Sequence, residues 1–127
     1  MMILKGSVIA GFGEGAYFTN KDAYKKEFKK ILGYEPWPGT LNLKVGSKIS
    51  LAGLKPIIIK GFREDETTFG NLDCYKCSIV GNKDIVLHLV VPKINKHENN
   101  IIELISQNNL RKTLSLKDKD IISIELM

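Results

Sequence analysis

The apolar positions of this chain fall mostly into short blocks rather than long stripes. Ile3 to Ile9 is a β-branched run that stops at Gly11-Phe12-Gly13-Glu14-Gly15, which predicts a strand running into a glycine-rich loop. From Asp22 to Leu32 the period changes: Tyr24, Phe28, Ile31 and Leu32 share one helical face, Asn20 stands where a cap is expected and Gly33 supplies the stop. Two prolines then stiffen Glu35-Pro36-Trp37-Pro38-Gly39. In Thr40-Leu41-Asn42-Leu43-Lys44-Val45 apolar and polar residues alternate strictly, so Leu41, Leu43 and Val45 face one way and Thr40 and Asn42 the other. Further strands are predicted at Ile57 to Lys60, Leu72 to Val80 and Lys83 to Val91, the last two joined by a turn at Gly81-Asn82, with Pro92 ending the hairpin. A second short helix fits Ile101 to Gln107, and a strand from Ile121 to Leu126 follows the turn-like Lys117 to Asp120.

About six strands with two short helices in the connections point to a mainly β fold, a small closed or nearly closed barrel, since closure removes sheet edges. Regular crossover helices are missing from the pattern, which argues against a doubly wound parallel sheet. A length of 127 residues with 43% hydrophobic and 26% charged content suits one domain over residues 1–127. No apolar run is long enough to span a bilayer and the start has no signal-peptide layout, so a cytoplasmic protein without a membrane partner is expected.

The formal charge of +5 favours anionic partners without choosing among them. Lys25, Lys26, Lys29 and Lys30 are read as the solvated side of the amphipathic helix. Cys74 and Cys77 resemble half of a zinc site, but three residues apart on a strand their thiols diverge, and both are expected to be reduced packing residues. His88 lies within an apolar strand and reads as a satisfied core or surface histidine; His97 lies in a polar loop and reads as solvated.

Three groups of residues carry candidate chemistry. Gly11 to Ala16 satisfies G-x-G-x-x-G/A, yet the helix begins too late for a dinucleotide unit, which leaves either a phosphate-cradling loop or an ordinary turn. Thr40 and Asn42, two residues apart on a strand, project in parallel and can both reach one hard cation; spacing alone favours a plain polar strand face. Asn100 and Glu103 have capping-box spacing, so Glu103 either caps the second helix or holds substrate hydroxyls, and sequence alone leans to the cap.

Gly11 to Phe18, Ile31 to Leu43 with its Gly39-Thr40-Leu41-Asn42 core, Val90 to Lys93, and Ile101 to Arg111 together resemble, in order, the archaeal CTP-dependent riboflavin kinases. The resemblance implies a cradle-loop β-barrel enzyme that moves the γ-phosphate of CTP to the 5′-hydroxyl of riboflavin, giving FMN and CDP. It implies nucleotide binding by Gly11, Phe12, Gly13, Glu14, Gly15, Ala16 and Tyr17 and by Asn108, Asn109, Leu110 and Arg111. It further implies Mg²⁺ held by Thr40 and Asn42, and flavin binding by Asn95 and Glu103, the latter as orienting group or base. Ala16 stands where the family has arginine, and Asn95 where it has threonine. A monomer acting on small molecules, without nucleic acid, is expected. The rival readings are a basic DNA-binding barrel and a non-catalytic flavin carrier.

Overall fold

The computed structural model describes residues 2–11, 18–46, 50–92 and 100–127. In chain order these form β1 (Met2–Ile9), α1 (Asp22–Leu32), β2 (Leu41–Val45), β3 (Ile57–Ile59), β4 (Phe62–Glu64), β5 (Thr67–Phe69), β6 (Leu72–Ile79), β7 (Asn82–Pro92), β8 (Ile101–Ser106), α2 (Leu110–Thr113) and β9 (Ile121–Leu126). The main sheet runs β3-β6-β7-β8-β2-β1-β9, and β6 also pairs with β9. Six antiparallel strands therefore close into the expected barrel, with β3 added outside the ring. Strand β6 makes this possible by serving two neighbours in succession: Leu72 to Cys74 pair with β3, and Cys77 to Ile79 pair with β9.

Strand alternation divides the apolar residues into two cores. Leu41, Leu43 and Val45 of β2 join Val8, Leu87, Leu89, Leu104 and Ile124 in the barrel interior. Beneath α1, Tyr24 and Phe28 pack with Ile59, Cys74, Val90 and Ile105 against the outside of the wall. Cys74 and Cys77 fall on opposite sides, as their spacing requires, and burial pushes both thiols up to about 12. Neither is a thiolate near neutral pH.

Helix α1 ends at Gly33, whose φ of 88° is left-handed and whose N–H donates to the Lys29 carbonyl. Its cap is Lys21, without a side-chain cap bond, rather than Asn20. The reason is local: Lys21 N–H closes a turn onto the Phe18 carbonyl, so Asn20 lies inside that turn. Lys26, Lys29 and Lys30 are exposed and Lys25 half-buried, the arrangement of a solvated face.

The predicted helix at Ile101 to Gln107 is instead β8, held between β7 and β2. The second helix is the single turn of α2 that follows it, capped by Asn109, whose Oδ1 accepts from Lys112 N–H at 3.2 Å. The β6–β7 loop is Val80-Gly81 rather than Gly81-Asn82, because Ile79 pairs with Asn82 and Gly81 takes the positive φ. A hairpin not expected from the sequence, β4–β5, covers α1: the Phe62 and Phe69 rings stack at 4.7 Å, and Phe62 meets Tyr24 edge-on at 4.8 Å. Among the described residues no helix is long and apolar enough to cross a membrane.

Candidate functional site

The turn before β2 is fastened at both ends. Trp37 N–H donates to the Ser106 carbonyl at 2.7 Å, and Gly39 N–H, at a φ of 106°, donates to Thr19 Oγ1 at 2.8 Å. The chain therefore enters β2 in a fixed place beside the end of β8. Register then sets Asn42 opposite Glu103 on one side and Ile9 on the other. Asn42 and Glu103 lie on the outer face of the barrel wall, yet they are only 3% and 4% exposed.

Thr40, Asn42 and Glu103 form one cluster. The Thr40 hydroxyl donates to Glu103 Oε1 at 3.0 Å, and Asn42 Nδ2 donates to the Thr40 carbonyl at 3.2 Å and to Thr40 Oγ1 at 3.3 Å. These bonds orient all three groups in a single sense. Glu103 takes the hydroxyl hydrogen of Thr40, and the Asn42 amide turns its nitrogen toward Thr40, which leaves Asn42 Oδ1 pointing elsewhere. That oxygen is buried and has no hydrogen-bond partner among the described residues. An unpaired buried acceptor costs about 1–3 kcal/mol, so a group that supplies a positive charge or a donor there would recover it. Gly11 closes over the same amide: a Cβ at Gly11 would lie 2.6 Å from Asn42 Nδ2, so any larger residue there would force the Asn42 amide to shift.

Three oxygen-bearing side chains, one of them with an unused oxygen, match the chemistry of a hard cation such as Mg²⁺ that keeps most of its shell for water and phosphate. The residues present fit that ion. No cluster of three or more His, Cys, Asp or Glu ligands occurs among the described residues, so a softer, nitrogen- or sulfur-bound metal has no such site there.

Adjacent to Thr40 is a pocket of about 120 Å³, bounded by Trp37 to Leu41 on one side and by Leu104, Ser106 and Asn108 to Arg111 on the other. Within Asn108 to Arg111 the roles divide. Leu110 is buried in the barrel interior, Asn109 caps α2, and Asn108 is exposed. Arg111 Nη2 donates to the Ile9 carbonyl at 3.1 Å and to Asp118 Oδ1 at 2.7 Å, which ties α2 to the end of β1 just before Gly11.

Thus Thr40, Asn42, Glu103, Gly11 and Arg111 come together along one rim of the barrel. The capping-box reading of Asn100 and Glu103 is overturned: Glu103 is in mid-strand, and Asn100 precedes β8, its carbonyl accepting from Val45 N–H. Phe12, Gly13, Glu14, Gly15, Ala16 and Tyr17, together with Asn95 and His97, lie outside the described residues. Sequence reasoning missed Trp37, Pro38 and Ser106 as pocket residues, although the proline-bracketed tryptophan three residues before Thr40 was a usable signal. His88 is a satisfied core histidine, its Nδ1 2.8 Å from the Tyr34 hydroxyl.

These features define a closed antiparallel barrel with an oxygen-donor cluster and a small pocket on one rim. The chain belongs to the family CTP-dep_RFKase, described as domain of unknown function DUF120, whose model matches residues 8–126. It is 36% identical over 129 residues to a protein of Archaeoglobus fulgidus named riboflavin kinase, with 98% of this chain and 54% of the relative covered. Proteins of the same name from Methanoregula boonei and Ignicoccus hospitalis are 40% and 37% identical, covering 97% and 95% of this chain and 56% and 69% of themselves. The chain spans about half the length of several curated relatives it matches.

Proposed function

We propose that this chain is a CTP-dependent riboflavin kinase. The observation that carries the reading is the buried, unpartnered Asn42 Oδ1 held beside Thr40 and Glu103, in a chain similar along nearly its whole length to proteins named riboflavin kinase. The 5′-oxygen of riboflavin attacks the γ-phosphorus of CTP, the bond from that phosphorus to the bridging oxygen breaks, and CDP leaves.

Thr40 and Asn42 would hold Mg²⁺, which when bound neutralises charge on the phosphate oxygens. Glu103 does two things from one position: it fixes the Thr40 hydroxyl, and its carboxylate orients the ribityl chain and accepts the proton of the attacking hydroxyl. Gly11 to Tyr17 cradle the phosphates through backbone N–H groups, and Asn95 completes the flavin site. Arg111, attached to the Ile9 carbonyl, keeps the base of that loop beside Asn108 to Arg111. Positioning of this kind is what phosphoryl transfer chiefly demands, because its transition state is largely dissociative.

The test is FMN formation from riboflavin with each of the four nucleoside triphosphates in Mg²⁺. Turnover with CTP far above that with ATP, GTP or UTP is expected. Equal rates from ATP and CTP would remove the CTP preference and leave the kinase standing, and no FMN with any of the four would remove the kinase.

A further inference from the structure

The pocket beside Thr40 is lined by one aromatic residue, to which the oxygen cluster assigns no role. Trp37, the sole tryptophan of the chain, is 51% exposed and lines it. Its mount is rigid: Pro36 and Pro38 flank it, and its own N–H is bonded to the Ser106 carbonyl. A large aromatic ring held this way has already lost the backbone freedom that binding would otherwise cost.

Pocket size narrows what the ring can meet. At about 120 Å³ the space is below the roughly 300–1,000 Å³ of sites that take a whole drug-sized ligand, a size that suits a single ring better than the fused tricycle of a flavin. Position narrows it further. Thr40 belongs both to the pocket and to the cluster with Asn42 and Glu103, so a ligand with its planar end in the pocket has its other end at the oxygen cluster. A pyrimidine nucleotide has that shape: a single flat ring at one end and phosphates at the other.

Resting on the nucleotide reading of this same site, we infer that Trp37 is the stacking face for the nucleobase, contributing affinity for the base through its π surface. Stacking alone is tolerant of base identity because every base has a π face. Trp37 therefore supplies affinity, and discrimination between pyrimidines is left to the polar groups of the opposite wall.

The experiment measures CDP binding by calorimetry, and KM for CTP and for riboflavin, in the full chain and in Trp37→Ala and Trp37→Phe, with thermal melts of each. Trp37→Ala is expected to weaken CDP and raise the CTP KM by roughly five- to hundredfold, the range seen when a stacking aromatic is removed. Trp37→Phe should regain most of that, and the riboflavin KM should be unchanged in both. Wild-type CDP affinity in a folded Trp37→Ala, a Phe variant as weak as the Ala one, or a loss confined to the riboflavin KM would each overturn the inference. If Trp37→Ala does not fold, the Phe variant and the response of Trp37 fluorescence to CDP decide it, and no response overturns it. A wild-type chain that binds no CDP and makes no FMN removes the kinase reading as well, whereas one that does both with Trp37→Ala unaffected removes only the stacking role.

Discussion

Asn42 and Glu103 are register partners on neighbouring antiparallel strands, and Thr40, two residues before Asn42, is hydrogen-bonded to both. A residue proposed to hold a cation and a residue proposed to hold the flavin are thus two sides of one bonded cluster. Changing either one disturbs the orientation of the other through a single hydroxyl. The two nearly isosteric changes that follow separate their roles.

Asn42→Leu replaces the carboxamide by an apolar group of similar shape and removes the unpartnered Oδ1. Loss of FMN formation by at least about a hundredfold is expected, the scale on which removing a positioned catalytic electrostatic group acts. Thermal stability should be unchanged or raised by about 1 kcal/mol, because an unpaired buried acceptor disappears along with two long amide bonds. An activity titration in Mg²⁺ beside a thermal melt checks both halves. Full turnover by the folded variant at ordinary Mg²⁺ would take Asn42 out of the site.

Glu103→Gln keeps an oxygen able to accept from the Thr40 hydroxyl, replaces the other carboxylate oxygen by an NH2 donor, and removes the charge and the basicity. If Glu103 takes the proton from riboflavin, kcat should fall by about 10²–10⁴-fold with little change in the melting temperature. A rise confined to the riboflavin KM would limit Glu103 to orienting the substrate. Unchanged constants for both substrates would leave it a structural partner of Thr40.

Strand β2 could be read from the sequence because its alternation faces one core, through Leu41, Leu43 and Val45. Strand β8 was misread because its polar residue is buried and its period does not alternate: Ile101 to Ile105 is apolar except for Glu103, and Asn100 three residues earlier imitates a cap. Only the tertiary pairing of Glu103 with Asn42 and Val90 explains why a carboxylate stands in that run. The β4–β5 hairpin was missed for a different reason. Its strands are three residues long, and its turn puts Asp65 and Glu66 at φ of 49° and 66° without the glycine that announces such turns. The site was legible as residue types, Thr40 with Asn42 and separately Glu103, but not as one cluster. Spacing along a chain does not contain cross-strand register.

The buried pair Tyr34 and His88 predicts how the fold responds to acid. With the imidazole neutral, Nδ1 shares a hydrogen bond with the Tyr34 hydroxyl across 2.8 Å. Burial first, and then the Lys76 ammonium on the neighbouring strand, where Lys76 is the register partner of His88, bring the His88 pKa down to about 4 from 6.5. The folded pKa is thus below the unfolded one, so the unfolded chain binds the extra proton between the two values. Stability from this residue is complete above about pH 6.5 and is lost as the pH falls toward 4, a total on the order of 3 kcal/mol. His88→Gln retains an acceptor for Tyr34 and cannot titrate, so its urea-unfolding free energy should fall less steeply than that of the wild type between pH 6.5 and 4.5. Measuring both proteins across that window isolates His88 from the carboxylates, which titrate in each. Parallel curves would mean that His88 gains its proton equally well in the folded state, and that the Tyr34 contact does not require a neutral ring.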